Sequence, residues 1–98
     1  MRIPFDDQQV LVCDGAMGTM IQNSGLPADR APEWRNLESP ETIRKIHRAY
    51  VDAGAQLVET NTFGASPLKL KEYGLAGDAF EISRAGAALA REAVGDRA

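Results

Sequence analysis

The chain has 98 residues, 44% of them apolar, which suffices for one small domain or for part of a larger one. A formal net charge of −3 leaves no basic footprint, so nucleic acid is not an expected partner. The single cysteine, Cys13, excludes an internal disulfide and a cysteine-rich metal site, and no apolar run approaches the roughly 18 residues of a membrane span.

MRIPFDDQQ opens with two aspartates among its polar residues and no long apolar stretch, unlike a secretory leader, so a reducing cytoplasm is the expected location. Residues 9–13, QVLVC, form a short valine-rich run that stops at Asp14-Gly15 and reads as a buried strand. A short helix is expected over 17–22, then a long irregular connection over 23–38. Ser39-Pro40 is a helix-start signal: serine can accept from free N–H groups of the first turn, and proline suits the first helical position. Ile43, Ile46, Tyr50 and Ala53 then define an apolar face, with Arg44, Lys45 and Arg48 off it and Gly54 as the stop.

Residues 56–60, QLVET, read as a second short strand. Ser66-Pro67 repeats the helix-start signal, and that short helix stops at Gly74. Asp78 is expected to cap a last helix running to about Val94, with Ala79, Ile82, Ala85, Leu89 and Ala93 on its apolar face. Strands alternating with helical stretches predict an α/β fold of parallel βα units.

In such architectures the chemistry sits on loops that follow the strands. Two polar clusters fall there: Asp14-Gly15-Ala16-Met17-Gly18-Thr19 and Glu59-Thr60-Asn61-Thr62-Phe63-Gly64. Together they offer carboxylate, hydroxyl, amide and backbone N–H groups, a set suited to a small zwitterion, with Asp14 holding the ammonium. The plainer alternatives are a turn at Asp14-Gly15 and strand-end capping by the threonines. Gly15 and Gly18 lack the remaining residues of a dinucleotide or P-loop fingerprint. Cys13 reads as a small buried hydrophobe, His47 as a surface or packing residue, and Trp34 as an anchor of the long connection. Glu59 is open between a catalytic carboxylate and a structural partner.

DGAMGT after the first apolar run, then NLESPETIRKIHRAYVDAGAQLVETNTFGAS and LKLKEYGL, resemble the opening of the homocysteine S-methyltransferase family. The resemblance runs from about Val10 to about Val94 and implies a (β/α)8 TIM barrel, of which residues 1–98 would form an amino-terminal fragment with the first two βα units. It implies homocysteine as substrate, its thiol activated by a cysteine-bound zinc and methylated to give methionine. It also implies substrate-binding roles for Asp14, Gly15 and Thr60, with Asn61 and Thr62 supporting or lining the pocket. The family's zinc cysteines lie on late strands, and Cys13 matches none of them. The family includes users of cobalamin, folate, betaine and S-methylmethionine, so the methyl donor stays open. A full barrel takes about 250 residues. The chain is therefore expected to be inactive alone, its sheet edges covered by the rest of the barrel or by another chain. Two alternatives remain: a non-catalytic α/β fragment that self-associates or binds a partner, and part of a different small-molecule barrel enzyme.

Overall fold

A computed structural model describes residues 10–27 and 29–98; the leader reading of the first nine residues and the start of the first expected strand lie outside them. The described residues fold into helices α1 (Gly18–Asn23), α2 (Arg35–Glu38), α3 (Pro40–Asp52), α4 (Pro67–Leu70) and α5 (Ala79–Val94), with single 3₁₀ turns at Pro32–Trp34, Lys71–Tyr73 and Ala76–Asp78. None of these helices is long and apolar enough to cross a membrane.

The expected α/β architecture is not what forms. Among the described residues there is no strand and no sheet, so the chain does not show the βα units of a barrel; it is a small helical unit with one isolated parallel bridge, Cys13 to Leu57. The hydrogen bonds explain why the pairing stops at one bridge. Leu57 N–H donates to the Val12 carbonyl (3.1 Å) and Asp14 N–H to the Leu57 carbonyl (2.9 Å), as in a parallel ladder. The next rung would take Glu59 N–H to the Asp14 carbonyl, but that N–H goes to the Asp14 carboxylate instead, at 3.2 and 3.3 Å. At the other end Ala55 N–H turns back to the Tyr50 carbonyl, and Val12 N–H is taken by the Gln56 side chain. Val10 and Val12 are exposed, so the apolar run that suggested a buried strand has nothing packed over it here.

The helices follow their local signals more closely. Ser66 caps α4 by accepting from Lys69 N–H (3.2 Å), and Gly74 ends the following turn with φ of 72°. Ser39 precedes α3 as expected but makes no side-chain cap; its hydroxyl donates to Glu38. Likewise Asp78 stands at the start of α5 without a capping bond. The buried side of α3 is Ile43, Ile46, His47 and Val51, whereas Ala53, expected on that face, is exposed. Residues 32–38, expected to be irregular, form the Pro32–Trp34 turn and α2, with Glu33, Arg35 and Asn36 buried. Trp34 packs partly buried against Ala31, Leu70 and Ile82, with the Arg30 and Arg35 guanidiniums 4.8 and 5.4 Å from its ring.

α3 packs mainly on α5, and α2 lies against both. Ile21, Ile43, Ile46 and Leu89 join α1, α3 and α5 in one apolar cluster. At Gly86 the α5 backbone comes closest to its neighbours: a Cβ there would lie 2.8 Å from Asn36 Nδ2 and from Thr62 Cγ2, and 3.2 Å from the Asn61 carbonyl. Alanine would gain about 1 kcal/mol of helix propensity, yet such overpacking costs about 1–3 kcal/mol, so glycine fits best. That approach locks α5 against the second polar loop.

Candidate functional site

Residues 14–18, 59–61 and 63 share a cleft of about 370 Å³, closed on one side by Pro32 and Glu33. Asp14, Gly15, Thr60 and Asn61 line it; of the five residues singled out by sequence, Thr62 alone does not. Glu33, Glu59 and Phe63 complete its polar wall and rim.

Asp14 is half-buried, and its carboxylate accepts from Glu59 N–H, so the two loops are tied directly through the cleft's first acid. Glu59 therefore meets Asp14 through its backbone, while its side chain stays exposed on the cleft wall. Gly15 sits under Tyr50: a Cβ at residue 15 would lie 3.2 Å from the Tyr50 hydroxyl, which itself donates to the Ala16 carbonyl at 2.5 Å. The Thr60 and Thr62 hydroxyls lie 2.7 Å apart and share one hydrogen bond, and Thr62 N–H donates to the Thr60 carbonyl. Thr62 acts on the cleft only through Thr60.

Asn61 is buried, and its amide is occupied: Nδ2 donates to the Pro32 carbonyl (3.0 Å) and to Asn36 Oδ1 (2.9 Å). Asn36 in turn donates to the Asn61 and Ile82 carbonyls at 2.8 and 3.0 Å. This buried amide pair fastens the second loop to α2 and α5, satisfying polar groups that would be costly to bury alone. Glu33 fastens the same loop from the 3₁₀ turn by accepting from Gly64 N–H at 3.1 Å. Sequence reasoning missed Glu33, Asn36 and Tyr50, because each acts across the fold rather than within a motif. The only available signal was polarity at 33 and 36 inside a segment read as a loop.

Cys13, expected to be buried, is exposed. Desolvation, the Sγ–H hydrogen bond to Asp14 and the nearby Asp14 and Glu59 charges raise its thiol pKa above the ordinary value, so it is a poor thiolate nucleophile. His47 takes the packing alternative: it is fully buried, and neither ring nitrogen has a hydrogen-bond partner among the described residues. Burial pushes its pKa down, and the Asp14 charge opposes that shift.

A cysteine-bound zinc does not fit the residues of this chain. The chain has a single cysteine, and no group of three or more His, Cys, Asp or Glu side chains among the described residues is placed to hold a metal ion.

A family model described as homocysteine S-methyltransferase matches residues 11–98. The chain is 41% identical over 93 residues to the methionine synthases of Mycobacterium leprae (strain TN) and Mycobacterium tuberculosis (strain ATCC 25618 / H37Rv), a match covering 86% of the chain. It spans about 8% of the length of each of these relatives.

Proposed function

This chain belongs to the homocysteine S-methyltransferase family, and from that premise we propose that its cleft holds the amino-acid end of homocysteine for methylation to methionine. The observation that carries the reading is the gathering of Asp14, Gly15 and Thr60 around one cleft from loops more than forty positions apart in the chain. Asp14 is the acceptor for the substrate ammonium. Its carboxylate has more acceptor sites than the Glu59 N–H and the Cys13 Sγ–H use, and a charge-assisted bond from an ammonium is stronger than a neutral one. The backbone at Gly15–Gly18 and the Thr60 hydroxyl are the donors for the substrate carboxylate. Asn61 and Thr62 are supports rather than contacts, one through the Asn36 pair and the other through Thr60.

The chain's own share of the reaction is to bind and orient. It supplies no activated nucleophile: the nucleophile is the substrate sulfur, and activation of that thiol and delivery of the methyl group fall to groups outside residues 1–98. Zinc at the sulfur, and cobalamin or folate through other modules, are the cofactors we propose for the larger assembly from the family to which the chain belongs. A soluble protein of the cytoplasm accords with this role.

Titration calorimetry with L-homocysteine tests the reading. Asp14→Ala should weaken binding about tenfold or more, the range expected for one charge-assisted bond, while circular dichroism stays that of the parent. Unchanged affinity in a folded variant would remove Asp14 from the site.

A further inference from the structure

We propose that Glu33 is a specificity-determining residue of this cleft, a second carboxylate that selects ligands bearing a cationic amino group. The inference rests on the homocysteine reading and adds to it a residue outside both sequence motifs. Glu33 is 8% exposed, and what remains open lies on the cleft wall. Glu33 stands in the first turn of its helix, where an acid is favoured, but its hydrogen bond runs to the second loop, and the turn is already held by Asn61 Nδ2 on the Pro32 carbonyl.

A buried carboxylate loses hydration, and Glu33 recovers part of that loss from one N–H, that of Gly64. One donor leaves most of its acceptor capacity unused. The same cleft carries Asp14 and Glu59 and, among the described residues, is lined by no lysine, arginine or histidine. Three acids facing a common space repel one another unless a cation enters between them. A ligand ammonium supplies that cation and brings up to three N–H donors, enough to bond Asp14 and Glu33 together. An anionic ligand lacking the ammonium keeps the Gly15–Gly18 backbone and Thr60 as donors but leaves the acids without a counter-charge. Glu33 thus holds the second loop in place and reads the ligand's charge.

Glu33→Gln separates these two roles, because its amide oxygen still accepts from Gly64 N–H while the charge is gone. Binding of L-homocysteine and of its des-amino analogue 4-mercaptobutanoate is measured by calorimetry for both proteins. The variant is expected to lose about tenfold in homocysteine affinity and to bind 4-mercaptobutanoate no worse than the parent. Equal losses for both ligands, or no loss for either, overturns the role of Glu33 and leaves the homocysteine reading standing. Failure of the unsubstituted protein to bind homocysteine overturns that reading, and this inference with it. Should Glu33→Gln not fold, the unsubstituted protein decides. A preference for 3-mercaptopropylamine over 4-mercaptobutanoate supports a charge-reading acidic cleft, and the reverse preference overturns it.

Discussion

Asp14–Gly18 and Glu59–Gly64 each follow a short apolar run, each carry glycine, and face one cleft, yet they are fastened by different physics. The second loop is pinned from beneath by buried groups: Asn61 on Asn36 and Pro32, and Gly64 on Glu33. The first is held at the surface, by the single Cys13–Leu57 bridge, the Tyr50 hydroxyl on Ala16 and the Asp14 carboxylate on Glu59 N–H. Buried bonds are worth more because water cannot replace them when they break. The second loop is therefore the fixed wall of the cleft, and the first loop is the one that ligand contact can steady.

The largest effect expected from this contrast is at Asn36. Asn36→Leu keeps the bulk but removes one of the two acceptors of Asn61 Nδ2, which retains the Pro32 carbonyl, and removes the donor to the Asn61 and Ile82 carbonyls, in a place closed to water. Each buried polar group left unpaired costs about 1–3 kcal/mol, so a loss of about 3 kcal/mol in urea unfolding is expected. A loss below about 1 kcal/mol would mean that the second loop is not held from beneath, and the comparison would fail.

The contrast also marks what the sequence made legible. Helices α3, α4 and α5 were readable because their signals are local: Ser-Pro at the start, a three-and-four apolar spacing, a glycine at the end. QVLVC and QLVET carry strand composition, but a strand is completed by its neighbours, and here the Asp14 and Gln56 side chains take the N–H groups that would extend the pairing. Residues 32–38 have no clear period, so a buried turn and helix passed for a loop. At the site, Asp14, Gly15, Thr60 and Asn61 stood in recognisable clusters. Glu33, Asn36 and Tyr50 did not, because their partners lie between 25 and 46 positions away for the amide pair, 31 for Glu33 and 34 for Tyr50.

His47 sharpens the comparison from the helical side, since it is buried on α3 and the charge it senses is Asp14 of the first loop. Burial lowers its folded pKa below the unfolded value of 6.5. The unfolded chain therefore binds the proton more readily. Stability should be level above about pH 6.5 and fall as the pH drops below it, by at most about 1.4 kcal/mol per pH unit for one group. Urea unfolding between pH 5 and pH 8 measures this, with His47→Leu as the control. The control should lose the slope in that window, and it leaves no ring nitrogen buried without a partner. A slope that persists unchanged in His47→Leu would assign the pH dependence to other groups.

The smallest effect is expected at the first loop itself. Tyr50→Phe removes one hydroxyl, the donor to the Ala16 carbonyl, and leaves the ring packed beside Ile21, Ile43, Ile46 and Leu89. The bond is exposed, so water can take over the carbonyl when the hydroxyl is gone. The cost should be about 1 kcal/mol, near the net worth of an ordinary hydrogen bond and well under that of Asn36→Leu. Backbone hydrogen exchange at Ala16–Gly18 should speed up while exchange at Asn61–Gly64 stays as it was, because the second loop has its own fastenings. A cost equal to that of Asn36→Leu, or faster exchange in both loops together, would make the cleft one cooperative unit. The two walls would then have to be treated as a single element, and a ligand at Asp14 would order both.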